Sequence, residues 1–133
     1  MQRQVRVLIA DDDELIQTVL SSICSSISGV QLVGVAEDGA KAVEKYQLLS
    51  PDVVLLDVNM PNMSGPEALK KIKEIDSGAC VVMLSAVSSG DTVKQCVQNG
   101  AQGYMLKTNP PDVIRAAVRD VCFKRLKKIV DGK

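Results

Sequence analysis

Residues 50–65 read SPDVVLLDVNMPNMSG, and this stretch decides the fold. Val53, Val54, Leu55 and Leu56 form an unbroken apolar run, closed on one side by Pro51 and on the other by Pro61 and Gly65. A short continuous run bounded by turn residues fits a strand buried on both faces. Yet the run ends on Asp57. A carboxylate in that position needs a partner, because burying an uncompensated charge is costly. A second stretch, VRVLIADDDEL (5–15), repeats the arrangement with Asp11, Asp12 and Asp13 after an apolar run.

Working outward, VQLVGVA (30–36), CVVMLSA (80–86) and GYMLK (103–107) join VRVLIA (5–10) and DVVLLDV (52–58) as expected strands. Between them, apolar residues recur at helical spacing: Leu15, Ile16, Val19, Leu20 and Ile23; Ala42, Val43 and Tyr46; Ala68, Leu69, Ile72 and Ile75. Val93 and Val97, then Val113, Ile114, Ala117, Val118 and Val121, continue the pattern. Ser64 and Glu67 stand at capping-box spacing, and Asn109 before Pro110 suits an N-cap and a first helical position. The last helix is expected over about residues 110–131, with a basic C-terminal extension. Five strands alternating with five helices predict an α/β domain, a doubly wound parallel sheet covered on both faces. Sites on such sheets form outside the carboxyl ends of the strands, where the strand order reverses.

The chain of 133 residues is long enough for one domain, 1–133, with a full core. Sixteen basic and sixteen acidic residues balance, so direct nucleic-acid binding is not expected. The balance is uneven along the chain. Residues 1–111 carry thirteen acids and nine bases, residues 112–133 three and seven. Cys24, Cys80, Cys96 and Cys122 are widely spaced and read as reduced thiols of a cytoplasmic protein. No apolar run approaches the roughly 20 residues of a membrane span, and the first strand starts too early to leave room for a signal peptide. There is no histidine, which removes Ser-His-Asp and Cys-His catalysis, histidine-ligated zinc and a histidine phosphocarrier.

Chemistry is left to the strand ends, where Asp11, Asp12, Asp13, Asp57, Ser85 and Lys107 fall. Two carboxylates about 4 Å apart repel by about 4 kcal/mol at an effective dielectric of 20, a cost that a divalent cation relieves. Magnesium takes one or two carboxylates and commonly leaves a place for phosphate oxygen. Lys107 supplies a compact positive charge for a phosphoryl oxygen, and the Ser85 hydroxyl can donate to another. An aspartate beside metal and lysine can act as a nucleophile toward phosphorus. Taken singly these residues have plainer readings: Asp11 and Asp12 as helix caps, Lys107 as a solvated cation, Ser85 as a turn residue.

With these motifs in hand the chain resembles a response-regulator receiver domain of the CheY-like family, over nearly its whole length. VLIADDDEL matches the family's acidic first strand, VVLLDVNMPNMSG its phosphoacceptor strand, MLSA its hydroxyl-plus-small pair and GYMLK its aromatic-plus-lysine strand. The resemblance implies a flavodoxin-like sheet in the order 2-1-3-4-5. It implies Asp57 as phosphoacceptor, Asp12 as a direct Mg2+ ligand, Asp11 acting mainly through water, and Asn59 giving its backbone carbonyl to the metal, with Mn2+ as a substitute ion. Ser85, Lys107 and the backbone amides of Asn59 and Ala86 would hold phosphoryl oxygens, and Asp13 would cap the first helix. Ser85 and Tyr104 would form a switch read out on the fourth helix, fifth strand and fifth helix; a plainly half-buried Tyr104 fits the sequence equally well. The implied partners are a histidine kinase or histidine phosphotransfer protein and a downstream protein target or second copy, with no membrane.

Two positions depart from that pattern. Thr108 follows Lys107 where many relatives have proline, so the family's cis bond is not expected. Val87 is apolar where several relatives carry a group that can steer water, which predicts slow self-hydrolysis. The basic KRLKKIVDGK end reads either as a solvated helix terminus or as a docking surface. A stand-alone receiver and one separated from an output domain both fit. Rival classes fare worse. A haloacid-dehalogenase-like phosphatase could use Asp11 and Asp13 as D-x-D but lacks the acidic pair after the lysine and leaves Asp57 unexplained. A flavodoxin-like carrier would need a phosphate loop where this chain is acidic. A degenerate receiver, acting as a phosphorylation-independent interaction module, is opposed by the complete set of Asp11, Asp12, Asp57, Ser85 and Lys107.

Overall fold

The computed structural model describes residues 3–86 and 90–132. The chain alternates β1 (Val5–Ala10), α1 (Glu14–Ser26), β2 (Val30–Ala36), α2 (Gly39–Leu49), β3 (Val53–Asp57), α3 (Gly65–Ile75), β4 (Val81–Ser85), α4 (Gly90–Gln98), β5 (Gly103–Leu106) and α5 (Pro111–Asp131). The strands form one parallel sheet in the order β2-β1-β3-β4-β5. Fold class and strand order agree with the expectation, and β3, β4 and β5 are trimmed by a residue at their ends. β1 is central to the reversal. The chain leaves it to one side for β2 and returns on its other side as β3, so the crevice opens where Asp11 and Asp57 end their strands.

Residue alternation divides the core into two layers. Val7, Ile9, Val53, Leu55, Val82 and Leu84 face α1 and α5, where Leu20, Ile23 and Val118 meet them. Leu8, Val54, Leu56, Val81 and Met83 face the other side, against Ala42, Leu69, Ile72 and Cys96. Successive side chains of a strand point to opposite faces, so an all-apolar strand is what a doubly covered sheet requires. All five residues of β3 are buried, Asp57 included.

The helix starts follow side-chain chemistry. Asp13 caps α1 by accepting from the Leu15 amide at 2.8 Å. Ser64 caps α3: it accepts from the Glu67 amide at 3.4 Å, and its hydroxyl donates to the Glu67 carboxylate at 3.3 Å, a side-chain pairing in place of the full capping box. The start of α5 corrects the expectation. Pro110 is the cap residue and Pro111 the first helical one, with no side-chain cap bond from Asn109. A second proline is well suited to that place, where the amide would have no intrahelical partner. The helical stripes also need correction at their edges: Leu15, Ile75, Val97 and Val113 are exposed, and the buried residue of α4 is Cys96. Among the described residues no peptide bond is cis, Lys107–Thr108 included, and no helix is long and apolar enough to cross a membrane. Val87 lies outside the described residues.

Candidate functional site

Strand pairing assembles the site. Ala10 pairs with Leu56, which sets Asp11 beside Asp57, and Ser85 pairs with Leu106, which sets Lys107 one strand further on. The Lys107 amide donates to the Ser85 carbonyl at 2.8 Å, fixing that strand end. Asp11, Asp57 and Ser85 are all buried, while Asp12 is exposed on the rim. Lys107 reaches between the carboxylates: its Nζ lies 2.9 Å from Asp11 Oδ2 and 3.2 Å from Asp57 Oδ1. Asp11, Asp12 and Asp57 each offer a carboxylate oxygen, and these atoms lie within 4.8 Å of one another.

One ammonium serves two buried carboxylates, and the charge balance is unfavourable. Burial and the neighbouring Asp11 charge push the Asp57 carboxyl above the ordinary aspartate range, opposed by Lys107 and the Asn59 amide. Burial alone would lower the Lys107 ammonium, but the hydrogen bond to Asp11 and the charges of Asp57 and Asp11 outweigh it, and the group is raised. Three converging carboxylates make an all-oxygen, hard donor set, the chemistry suited to Mg2+.

The surrounding loops are tied down in part by residues that the motifs did not single out, Gln17, Asp38 and Asn62. Asp11 Oδ1 accepts from the Asp13 amide at 2.9 Å, and the Gln17 side-chain amide donates to the Asp11 carbonyl at 2.6 Å. The Asn59 amide points back to Asp57 Oδ1 at 3.4 Å, and Asn59 itself is exposed. Behind it, the Asn62 amide group donates to Asp38 Oδ2 at 2.9 Å, clasping the loop after β3 to the start of α2. Asp38 also caps α2 by accepting from the Lys41 amide at 2.7 Å. The Lys41 amide first, then Asn62, hold its carboxyl below the ordinary range. The Asp38-Gly39 pair ahead of a helical pattern was the available signal for this cap; the clasp to Asn62 had none. Gly65 passes so close to β3 that a Cβ would collide with the Asp57 carbonyl oxygen.

The remaining predicted residues fall as follows. Ala86 is exposed just beyond β4. Tyr104 is half-buried and packs on the α3–α4 side of the sheet. Asp13, the second acid of a D-x-D reading, is engaged in capping α1.

With this geometry established, comparison with known proteins is direct. The chain matches the response regulator receiver domain family over residues 7–119. It is 39% identical to the chemotaxis protein CheY of Bacillus subtilis over 113 residues, 85% of this chain and 93% of that protein. Among solved structures it superposes with a TM-score of 0.85 on the signal receiver domain of a NarL response regulator from Mycobacterium tuberculosis, at 34% identity, covering 91% of this chain and 98% of that one. It also matches a CheX–CheY–BeF3–Mg2+ complex from Borrelia burgdorferi, with a TM-score of 0.84, 34% identity and 90% of each chain covered. The chain belongs to the response-regulator receiver family, the CheY-like receivers of two-component signalling.

Proposed function

We propose that Asp57 is the phosphoacceptor of a two-component phosphorelay. The observation that carries this reading is the placement of Lys107 Nζ, 3.2 Å from Asp57 Oδ1 and 2.9 Å from Asp11 Oδ2, in a buried acidic cluster at the reversal of the sheet. A carboxylate oxygen of Asp57 attacks phosphorus of a phosphohistidine on a histidine kinase or phosphotransfer protein. The new O–P bond forms as the N–P bond breaks, and the imidazole leaves with the electron pair. Lys107 then exchanges part of its contact with Asp57 for a phosphoryl oxygen, and the Ser85 hydroxyl and the Asn59 and Ala86 amides donate to the others. Asp12, Asp11, Asp57 and the Asn59 carbonyl would hold Mg2+, which supplies charge neutralisation for the incoming phosphoryl group.

Phosphorylation adds roughly 1.5 to 2 negative charges at one strand end. Ser85 is drawn toward them, and Tyr104, two strands from Asp57, takes up the space released. The α4, β5 and α5 face then selects a downstream protein or a second copy. The test is peptide mapping of protein treated with Mg2+ and a small acyl phosphate, then reduced with borohydride, which converts an aspartyl phosphate to homoserine. Homoserine at position 57 is the expected result. Homoserine at position 11, 12 or 13 instead would reject the assignment.

A further inference from the structure

A second cavity lies at the opposite, amino-terminal end of β5. It has a volume of about 520 Å³ and is walled by the α3–β4 turn, by β4 and β5 and by the carboxyl-terminal half of α5. Four cations line it, Lys73, Lys124, Arg125 and Lys128, against one carboxylate, Asp120. Asp120 is already engaged with Lys124 at 3.1 Å. Among the described residues, no carboxylate lies within ion-pair distance of Lys73, Arg125 or Lys128.

Lys73 is held in place. Lys73 Nζ is anchored by donating to the carbonyls of Ala79 at 2.8 Å and Ser77 at 3.1 Å, and its stem lies against Gly100, where a Cβ would sit 2.6 Å from Cε. Arg125 Nε is buried and has no hydrogen-bond partner among the described residues. Two acids beside it are spent elsewhere. Asp76 accepts from the Tyr46 hydroxyl and the Gly78 amide, both at 2.9 Å, and Asp52 from Arg3 at 2.7 Å and the Arg6 amide at 2.9 Å. On the cavity wall, the buried Cys80 thiol is pushed up by burial and pulled the other way by Arg125, Lys73 and Lys128 together. Three positive fields therefore converge there. A guanidinium donor left unmatched inside such a field favours an anion with several acceptor oxygens. Tyr104, Met105 and Val121 also line the cavity and give it an apolar and aromatic part. The volume falls within the ordinary range of small-molecule sites.

We propose that this cavity binds a small organic phosphate of mononucleotide size, its phosphoryl groups among Arg125, Lys128 and Lys73 and its body against Val121 and Tyr104. None of the four cations belongs to the Asp57 site, so the proposal stands apart from the phosphoacceptor reading. The test is amide NMR of the full chain without Mg2+, at fixed ionic strength, with pyrophosphate, adenosine 5′-diphosphate, adenosine and sulfate as separate probes. Saturable shifts at Gly78, Gln102 and Gly103 are expected, with the diphosphate binding tighter than pyrophosphate or sulfate and adenosine alone not binding. Charge reversal at exposed Lys128 (Lys128→Glu) should weaken diphosphate binding by about tenfold or more. Arg125→Gln should do the same, its fold checked by the unchanged remainder of the spectrum. The absence of saturable shifts, equal binding of sulfate, indifference to Lys128→Glu, or shifts confined to Asn59 and Ala86 would each overturn the proposal.

Discussion

At the scale of single residues, the acidic cluster is a folded-state liability held in place by one lysine. The Asp57 carboxyl is raised by burial and by Asp11, so folding takes up a proton relative to the unfolded chain. Its contribution to stability is therefore best below the ordinary aspartate range and is lost as pH rises through the raised value. Asp57→Asn should accordingly stabilise the metal-free protein at neutral pH, by about 1–2 kcal/mol for removing one poorly compensated buried charge. In thermal unfolding at a series of pH values, that advantage should shrink as pH falls through the raised Asp57 value and be gone below the ordinary aspartate range. Lys107→Met should act oppositely, leaving Asp11 and Asp57 buried without their cation at a cost on the order of 3 kcal/mol by urea unfolding. The double variant should recover part of that loss. The residue types of the site were legible because each ends its own apolar run. The sharing of Lys107 between Asp11 and Asp57 was not, since it joins positions 96 residues apart through three strands.

At the scale of elements, local chemistry set most boundaries and long-range packing moved the rest. Asp13, Asp38 and Ser64 each start a helix by accepting a backbone amide, a signal carried within a few residues. The α4 stripe fails at Val97, which is exposed, because the deepest contact is made by Cys96 beside it, which is fully buried, while Val93 is half-buried. Only the sheet tells which face of so short a helix is covered. Glycines separate the two kinds of constraint. Gly65→Ala drives a Cβ into the Asp57 carbonyl and should cost about 3 kcal/mol while disturbing the loop after β3. Gly90→Ala meets nothing within 4 Å at the first residue of α4 and should stabilise by about 0.5–1 kcal/mol. Chemical denaturation of the two variants side by side checks both signs.

At the scale of the whole molecule, two packed layers enclose the sheet and leave the chemistry at its carboxyl edge. The alternation of strand and helix patterns was enough to read that architecture, because a strand that is apolar on both faces has few other homes. The layers also bury all four thiols. Burial pushes Cys24 up to about 11 and Cys122 up to about 12. Labelling by a thiol reagent near pH 8 should therefore be slow in the native protein and fast in urea, with native rates tracking global opening. Rapid labelling of Cys24 or Cys122 under native conditions would mean that the α1–α5 layer opens locally. The central claim, that this fold exists to phosphorylate one carboxylate, has a more direct test. Intact mass is measured after incubation with Mg2+ and a small acyl phosphate, for the wild type and for Asp57→Asn. The account predicts the gain of one phosphoryl group by the wild type and none by the variant. A label retained in Asp57→Asn, or none on a wild type demonstrated to bind Mg2+, would contradict it.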